Sequence, residues 1–315
     1  MMQSITLNSS SPLYGRCDEI LNVNPMLLGW YNEYFKINAI ETIEGYSVYG
    51  GVPRYWELQK KHQSLADSIK YNLLDPDGIL FKEPEMLFFD EMRTSVLAFS
   101  ILTLIGLGCN RLSEIAGRLE KPATQLNRPI NLLIDLGYVR REIPFNTSLK
   151  STKKSRYKIS DPFMNFYFSF VVPNKSRLEF GLIEQVWDEI NGKFNQYVSE
   201  IWEELCRNAV PRLKIEGKTF NPAQRWWGNG IDRKPMEIDI IAESTDKSTL
   251  LIGEAKWIDN ISVKNIINEL KAKINNAPFI QNRKVLQVLF LKQTHENNPN
   301  KIIIIKPADI IAVLK

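Results

Sequence analysis

A chain of 315 residues with 44% apolar and 24% charged residues is large enough for two or three globular domains. Its net charge of +4 names no partner, so where the charge sits matters more than its sum. Three scattered cysteines (Cys17, Cys109, Cys206) with no CxxC pair argue against a disulfide framework or a thiolate zinc site, and two histidines (His62, His295) exclude His-rich metal centres and most Ser-His-Asp schemes.

No stretch reaches the roughly 18 apolar residues of a membrane span. The N-terminus lacks the basic start and apolar core of a secretory signal, and no GxxxxGK[ST] phosphate loop occurs. A reduced cytoplasmic setting without a membrane partner is the expectation.

In chain order, Tyr49-Gly50-Gly51-Val52-Pro53 predicts a loop entering a helical run from Arg54 to Leu74. The glycines permit positive φ, and Pro53 suits a first helical turn. Apolar spacing predicts a helix over Glu91 to Leu107 through Val96, Leu97, Ile101 and Leu104. A second covers Leu112 to Leu119, and a third opens at Pro122 and stops at Gly137. Pro129 inside the third removes a backbone donor. Tyr138 to Ile143 and Arg156 to Ile159 then read as a strand pair. Three helices followed by two strands is the order of a winged helix-turn-helix.

Between Tyr138 and Lys158, Arg140, Arg141, Lys150, Lys153, Lys154, Arg156 and Lys158 stand against Glu142 alone. A basic wing is the electrostatic footprint of phosphate-backbone binding. Gln125, Asn127 and Arg128, with Thr124, would face a major groove from the preceding helix. Winged helices also serve as protein-interaction modules, and a run of charge also forms a solvated face. The aromatic run from Phe163 to Phe170 reads as core in a linker helix over 161–192.

From 193 onward helix and strand alternate. Strands are expected at 236–243, 249–256, 284–292 and 301–306, with helices around Phe194 to Leu205 and 262–276. That pattern predicts a mixed α/β sheet covered on both faces. Period-two alternation puts Glu237 and Asp239 on one strand face, and Glu254 and Lys256 on another. A hairpin would bring Asp239 beside Glu254 with Lys256 at the edge. Such a carboxylate pair suits Mg²⁺ or Mn²⁺, which activates water and stabilises a phosphoryl oxygen, and the lysine would neutralise developing charge. The same residues on an exposed surface would form an ordinary ion pair. Glu200, Glu203 and Glu204 lie upstream as sources of a third carboxylate.

The ordered set Ile238-Asp239-Ile240 and Gly253-Glu254-Ala255-Lys256-Trp257 resembles the PD-(D/E)XK nuclease-like domain that ends a family of prokaryotic, archaeal-type ATPases. Trp226-Trp227, Gly50-Gly51-Val52-Pro53-Arg54-Tyr55 and Tyr157-Lys158-Ile159-Ser160-Asp161-Pro162-Phe163 carry the same resemblance. So does Ser11-Pro12-Leu13-Tyr14-Gly15-Arg16, which resembles the stretch after the nucleotide-binding core, with Arg16 in a nucleotide-sensing or a structural role.

The resemblance implies an α/β multi-domain chain: an all-α ATPase-lid-like segment over 1–84, a winged helix-turn-helix over 85–160, the linker region, and a nuclease-like domain over 193–315. It assigns Asp239 and Glu254 as metal ligands, Lys256 as the catalytic lysine and Glu203 as the auxiliary carboxylate. Ser199 stands where the family has glycine and Trp202 where it has phenylalanine; Pro235 is the proline nearest Asp239. Family members begin with a phosphate-loop core that this sequence does not contain. The chain is therefore expected to have no ATP site of its own, and to bind DNA through its winged helix. The sequence is then expected to be a truncated gene, a fragment, or one half of a split protein whose partner is a separately encoded ATPase. A non-catalytic DNA-binding regulatory protein, or an interaction protein that works with a separate ATPase, is the alternative.

Overall fold

The computed structural model describes residues 19, 21, 23–91, 95–148, 154–260, 262–280, 283–293 and 302–315. Helices α1 (Leu28–Phe35), α2 (Ala39–Tyr49), α3 (Pro53–Gln59) and α4 (Leu65–Ile69) come first, and a π-helical turn, Lys70–Leu74, extends α4. The expected continuous helix after Arg54 is therefore interrupted between Gln59 and Leu65. Gly50 adopts φ +60°, and Pro53 is the first residue of α3.

Helices α5 (Glu83–Glu91), α6 (Ser95–Gly106), α7 (Leu112–Arg118) and α8 (Ala123–Asp135) precede a two-stranded antiparallel hairpin, β1 (Val139–Glu142) and β2 (Arg156–Ile159). Pro129 is accommodated inside α8, and Gly137 follows it at φ +80°. The aromatic run forms α9 (Pro162–Phe166) and a second π-helical turn, Tyr167–Val171, leading into α10 (Val172–Glu179). Phe163, Met164, Phe166, Tyr167 and Phe168 are all buried.

Helix α11 runs unbroken from Ile183 to Ala209. The boundary expected at 193 therefore falls inside one helix, which packs against α2, strands β4 and β5 and the C-terminal helix. Its apolar positions Val186, Ile190, Tyr197, Val198, Ile201, Trp202 and Leu205 recur at helical spacing, so one stripe can serve two layers.

The main sheet has the order β3-β4-β5-β6-β7: Gln224–Asn229, Pro235–Glu243, Thr249–Lys256, Lys284–Leu291 and Ile303–Ile305. The first three strands pair antiparallel, whereas β5-β6 and β6-β7 are parallel. Helix α12 (Val263–Asn276) makes the crossover between β5 and β6 that parallel strands require. Strand β3, holding Trp226 and Trp227, and the final helix α13 (Pro307–Val313) are elements the sequence reading did not identify.

Two apolar cores flank the sheet. One runs from α1 through the hairpin and α11 to Ile240, Leu251, Val288, Phe290 and α13. The other joins Trp226, Ile238, Ile241, Leu250, Ile252 and Leu289 to Ile266, Ile267 and Leu270 of α12. The N-terminal helices thus share a core with the C-terminal sheet. Among the described residues no helix is long and apolar enough to cross a membrane.

Candidate active site

Strands β4 and β5 pair with Ile240 opposite Gly253, so Asp239 and Glu254 are the next residues along the two strands. A Cβ at Gly253 would lie 2.8 Å from the carbonyl oxygen of Val288, so glycine lets β6 approach β5 beside the site. Asp239 is 8% exposed and Glu254 2% exposed. Burying two carboxylates is costly unless each finds partners.

The partners are specific. Lys256 Nζ lies 3.3 Å from Asp239 Oδ2 and 3.0 Å from Glu254 Oε2. The Ala255 amide donates to Asp239 Oδ2 at 3.2 Å, and Arg207 donates to the Asp239 carbonyl at 3.1 Å. A second lysine, Lys273 of α12, lies 2.7 Å from Glu254 Oε1. Both oxygens of Glu254 are therefore held by ammonium groups.

Lys273 was absent from the sequence-derived site. Its signal was its position on the inward stripe of α12, at helical spacing from Ile266 and Leu270. That stripe could be read from the sequence, but its alignment over Glu254 could not.

Burial and the adjacent Asp239 push the Glu254 carboxyl up to about 7, against the pull of Lys256 and Lys273. For Asp239 burial acts upward as well, but Lys256, Lys273 and the Ala255 amide outweigh it and hold this carboxyl below its ordinary value. Burial works against the charge on Lys256, yet Asp239 and Glu254 raise its affinity for the proton. The cluster is thus a carboxylate pair whose repulsion is only partly relieved.

Glu203 projects from α11 beside this pair. Burial and Asp239 raise its carboxyl, opposed by Arg225 and Arg207. Its oxygen lies 3.7 Å from Arg207 and 3.8 Å from Arg225. Among the described residues no three His, Cys, Asp or Glu side chains form a group able to hold a metal ion. The fit for a dication therefore rests on Asp239 and Glu254.

The expected DNA-contacting residues divide into two sets. Gln125, Asn127 and Arg128 are exposed on α8, and Lys154 is exposed just before β2. Arg140 instead meets Glu204 at 2.5 Å and Glu142 at 3.1 Å. Arg156 pairs with Glu237 and lies over the Trp227 ring at 4.5 Å, and Lys158 meets Glu200 at 3.2 Å. Arg141 donates to Ser155 Oγ. Arg140, Arg156 and Lys158 thus face α11 and the sheet, whereas Arg141 stands on the other face of the hairpin. Lys150, Lys153 and the Ser11 to Arg16 motif lie outside the described residues.

Residues 167–270 match the family model DUF234, described as archaeal and bacterial proteins of unknown function. That stretch includes Glu203, Asp239, Glu254 and Lys256 and ends before Lys273. The chain is also similar to Uncharacterized protein MJECL04 of Methanocaldococcus jannaschii, at 31% identity over 279 residues. The match covers 87% of this chain and 61% of that relative, so the chain spans about three fifths of the relative's length. No solved structure matches it.

Proposed function

We propose that this chain is a DNA-binding protein whose C-terminal sheet carries a metal-dependent phosphodiesterase centre of the PD-(D/E)XK type. The observation that carries the reading is the meeting of Asp239, Glu254 and Lys256 at the β4–β5 junction. Two further features support it. The C-terminal sheet is mixed and flanked by helices, the α/β class that the resemblance implies. Two buried, mutually repelling carboxylates are also a suitable donor set for a hard dication, and Mg²⁺ is commonly held by one or two carboxylates with water in its other positions.

In this reading Asp239 and Glu254 hold Mg²⁺ or Mn²⁺, which would supply water activation and charge stabilisation at a phosphodiester. Lys256, kept protonated by its two carboxylates, places positive charge where negative charge develops on the scissile group. Glu203 sets the charge beside Asp239. The exposed face of α8, with Lys154, contacts the duplex. A phosphate-loop ATPase is the proposed partner, because the resemblance to the ATPase family extends across most of this chain.

A second reading, a DNA-binding regulator without catalysis, draws on the pairing of both Glu254 oxygens with lysines. The deciding experiment is cleavage of linear, nicked and single-stranded DNA with Mg²⁺ or Mn²⁺, comparing wild type with Asp239→Ala. Cleavage present in wild type and absent in the variant supports the enzyme. Binding without cleavage on every substrate supports the regulator.

A further inference from the structure

Lys273 is the member of the cluster that neither the motif nor the matched family segment includes. It reaches Glu254 from a different element than Lys256, from the last turn of α12 rather than along β5. Its side chain is 29% exposed, whereas the carboxylate it meets is 2% exposed. One end of this ion pair is therefore buried and fixed, and the other sits on a flexible four-carbon stem with a path to solvent. A pair with one partner so buried is unlike a surface salt bridge: removing the cation leaves an uncompensated charge in the interior.

The charge count shows what Lys273 does to the site. Two carboxylates and two ammonium groups, counted by themselves, balance in formal charge. Replacing the Lys273 ammonium by a dication leaves one net positive charge. The same exchange frees Glu254 Oε1 as an oxygen ligand. Lys256 cannot make this exchange as readily, because it bridges both carboxylates.

We infer that Lys273 is a built-in counter-ion that occupies the cation position on Glu254, so that binding a divalent metal and releasing Lys273 are a single exchange. This inference rests on the metal-dependent reading above and extends it: Lys273 is a positioning residue that weakens metal binding and keeps the metal-free centre folded and balanced in charge. The exchange gives the centre two states. With Lys273 docked, each oxygen of Glu254 has an ammonium partner and the four charges balance, although the two carboxylates still repel one another. With Lys273 released, the site is metal-loaded and attracts phosphate.

The test uses Mn²⁺ as the probe on the full chain. Calorimetric titration is expected to show Lys273→Met, which keeps the aliphatic stem, binding Mn²⁺ at least tenfold more tightly than wild type. Its metal-free melting temperature should fall, and Mn²⁺ should raise it by more than it raises wild type. Lys273→Arg, which keeps the charge, should retain the weaker wild-type affinity. A second measurement needs no variant. Acylation of wild-type Lys273, followed by mass spectrometry, should rise several-fold when Mn²⁺ is added, while exposed Lys264 and Lys271 of the same helix stay constant. Mn²⁺ binding with unchanged Lys273 labelling, or equal affinity in wild type and Lys273→Met, overturns the exchange and leaves the metal reading standing. Absence of Mn²⁺ binding in wild type and both variants overturns the metal reading and the exchange together.

Discussion

Two charge clusters sit in this molecule, and they use the same kinds of side chain to opposite effect. In the cluster between the β1–β2 hairpin and α11, cations surround each carboxylate. Glu142 is the clearest case: burial acts against its charge, but Arg140, Arg207, Lys158 and Arg225 bring its carboxyl down to about 2. At the β4–β5 junction two carboxylates adjoin one another, and Glu254 is pushed up to about 7. The first cluster fastens two layers together. The second stores repulsion that an added cation would relieve. Glu142 and Glu254 are shifted in opposite directions, although both clusters combine carboxylates with cations, while Asp239 beside Glu254 is held low by the lysines.

The largest effect that would break this comparison is catalytic. Lys256→Met should lower metal-dependent cleavage by about a hundredfold or more while DNA affinity, read by fluorescence anisotropy, stays near wild type. Cleavage surviving the change would mean the junction is a structural cluster like the other.

Next comes stability. Arg225 contacts Glu142, Glu203 and Glu237 with its side chain only 11% exposed. Arg225→Ala leaves these carboxylates without a shared cation and should cost about 3 kcal/mol in urea unfolding.

The two clusters should also part in their response to pH, in metal-free buffer. Glu254 has a folded value above its ordinary 4.5, so its ionised form is disfavoured, and stability should rise as pH falls from about 7 toward 4.5. Glu142 has a folded value below 4.5, so its contribution is present above that pH and is lost as pH falls toward about 2. Urea midpoints against pH should rise and then fall on acidification. Glu254→Gln should flatten the upper limb and Glu142→Gln the lower.

The smallest effect separates exposed charge from engaged charge. Arg128→Glu, on the exposed face of α8, should weaken DNA binding and reduce the slope of log affinity against log salt by about one. Arg140→Ala should leave that slope unchanged and instead lower the melting temperature, because Arg140 is committed to Glu204 and Glu142. An altered slope in Arg140→Ala would show that the hairpin undocks to meet DNA.

Much of the local structure was legible in the residues. Alternation placed β4 and β5 closely and set Asp239, Glu254 and Lys256 on faces that meet, because strand geometry has a period of two whatever surrounds it. The hairpin was legible for the same reason, and the entry to α3 followed from Gly50 and Pro53. Strand β3 was not, because Trp226-Trp227 lacks clear alternation and a bulge lies between Gln224 and Trp226. The expected boundary at 193 falls inside α11, which runs through Gly192 without a break and presents one stripe to two layers.

The sequence by itself determined which residues could do chemistry: two carboxylates and a lysine at strand spacing, and basic residues flanking a turn. Only the tertiary structure decided which charges meet. It turned Arg140, Arg156 and Lys158 inward against Glu204, Glu237 and Glu200, and it laid α12 across β5 so that Lys273 reached Glu254. Periodicity reports the face of an element on which a side chain stands. Which element covers that face depends on packing between segments far apart in the chain, and the strength of a charge depends on that cover.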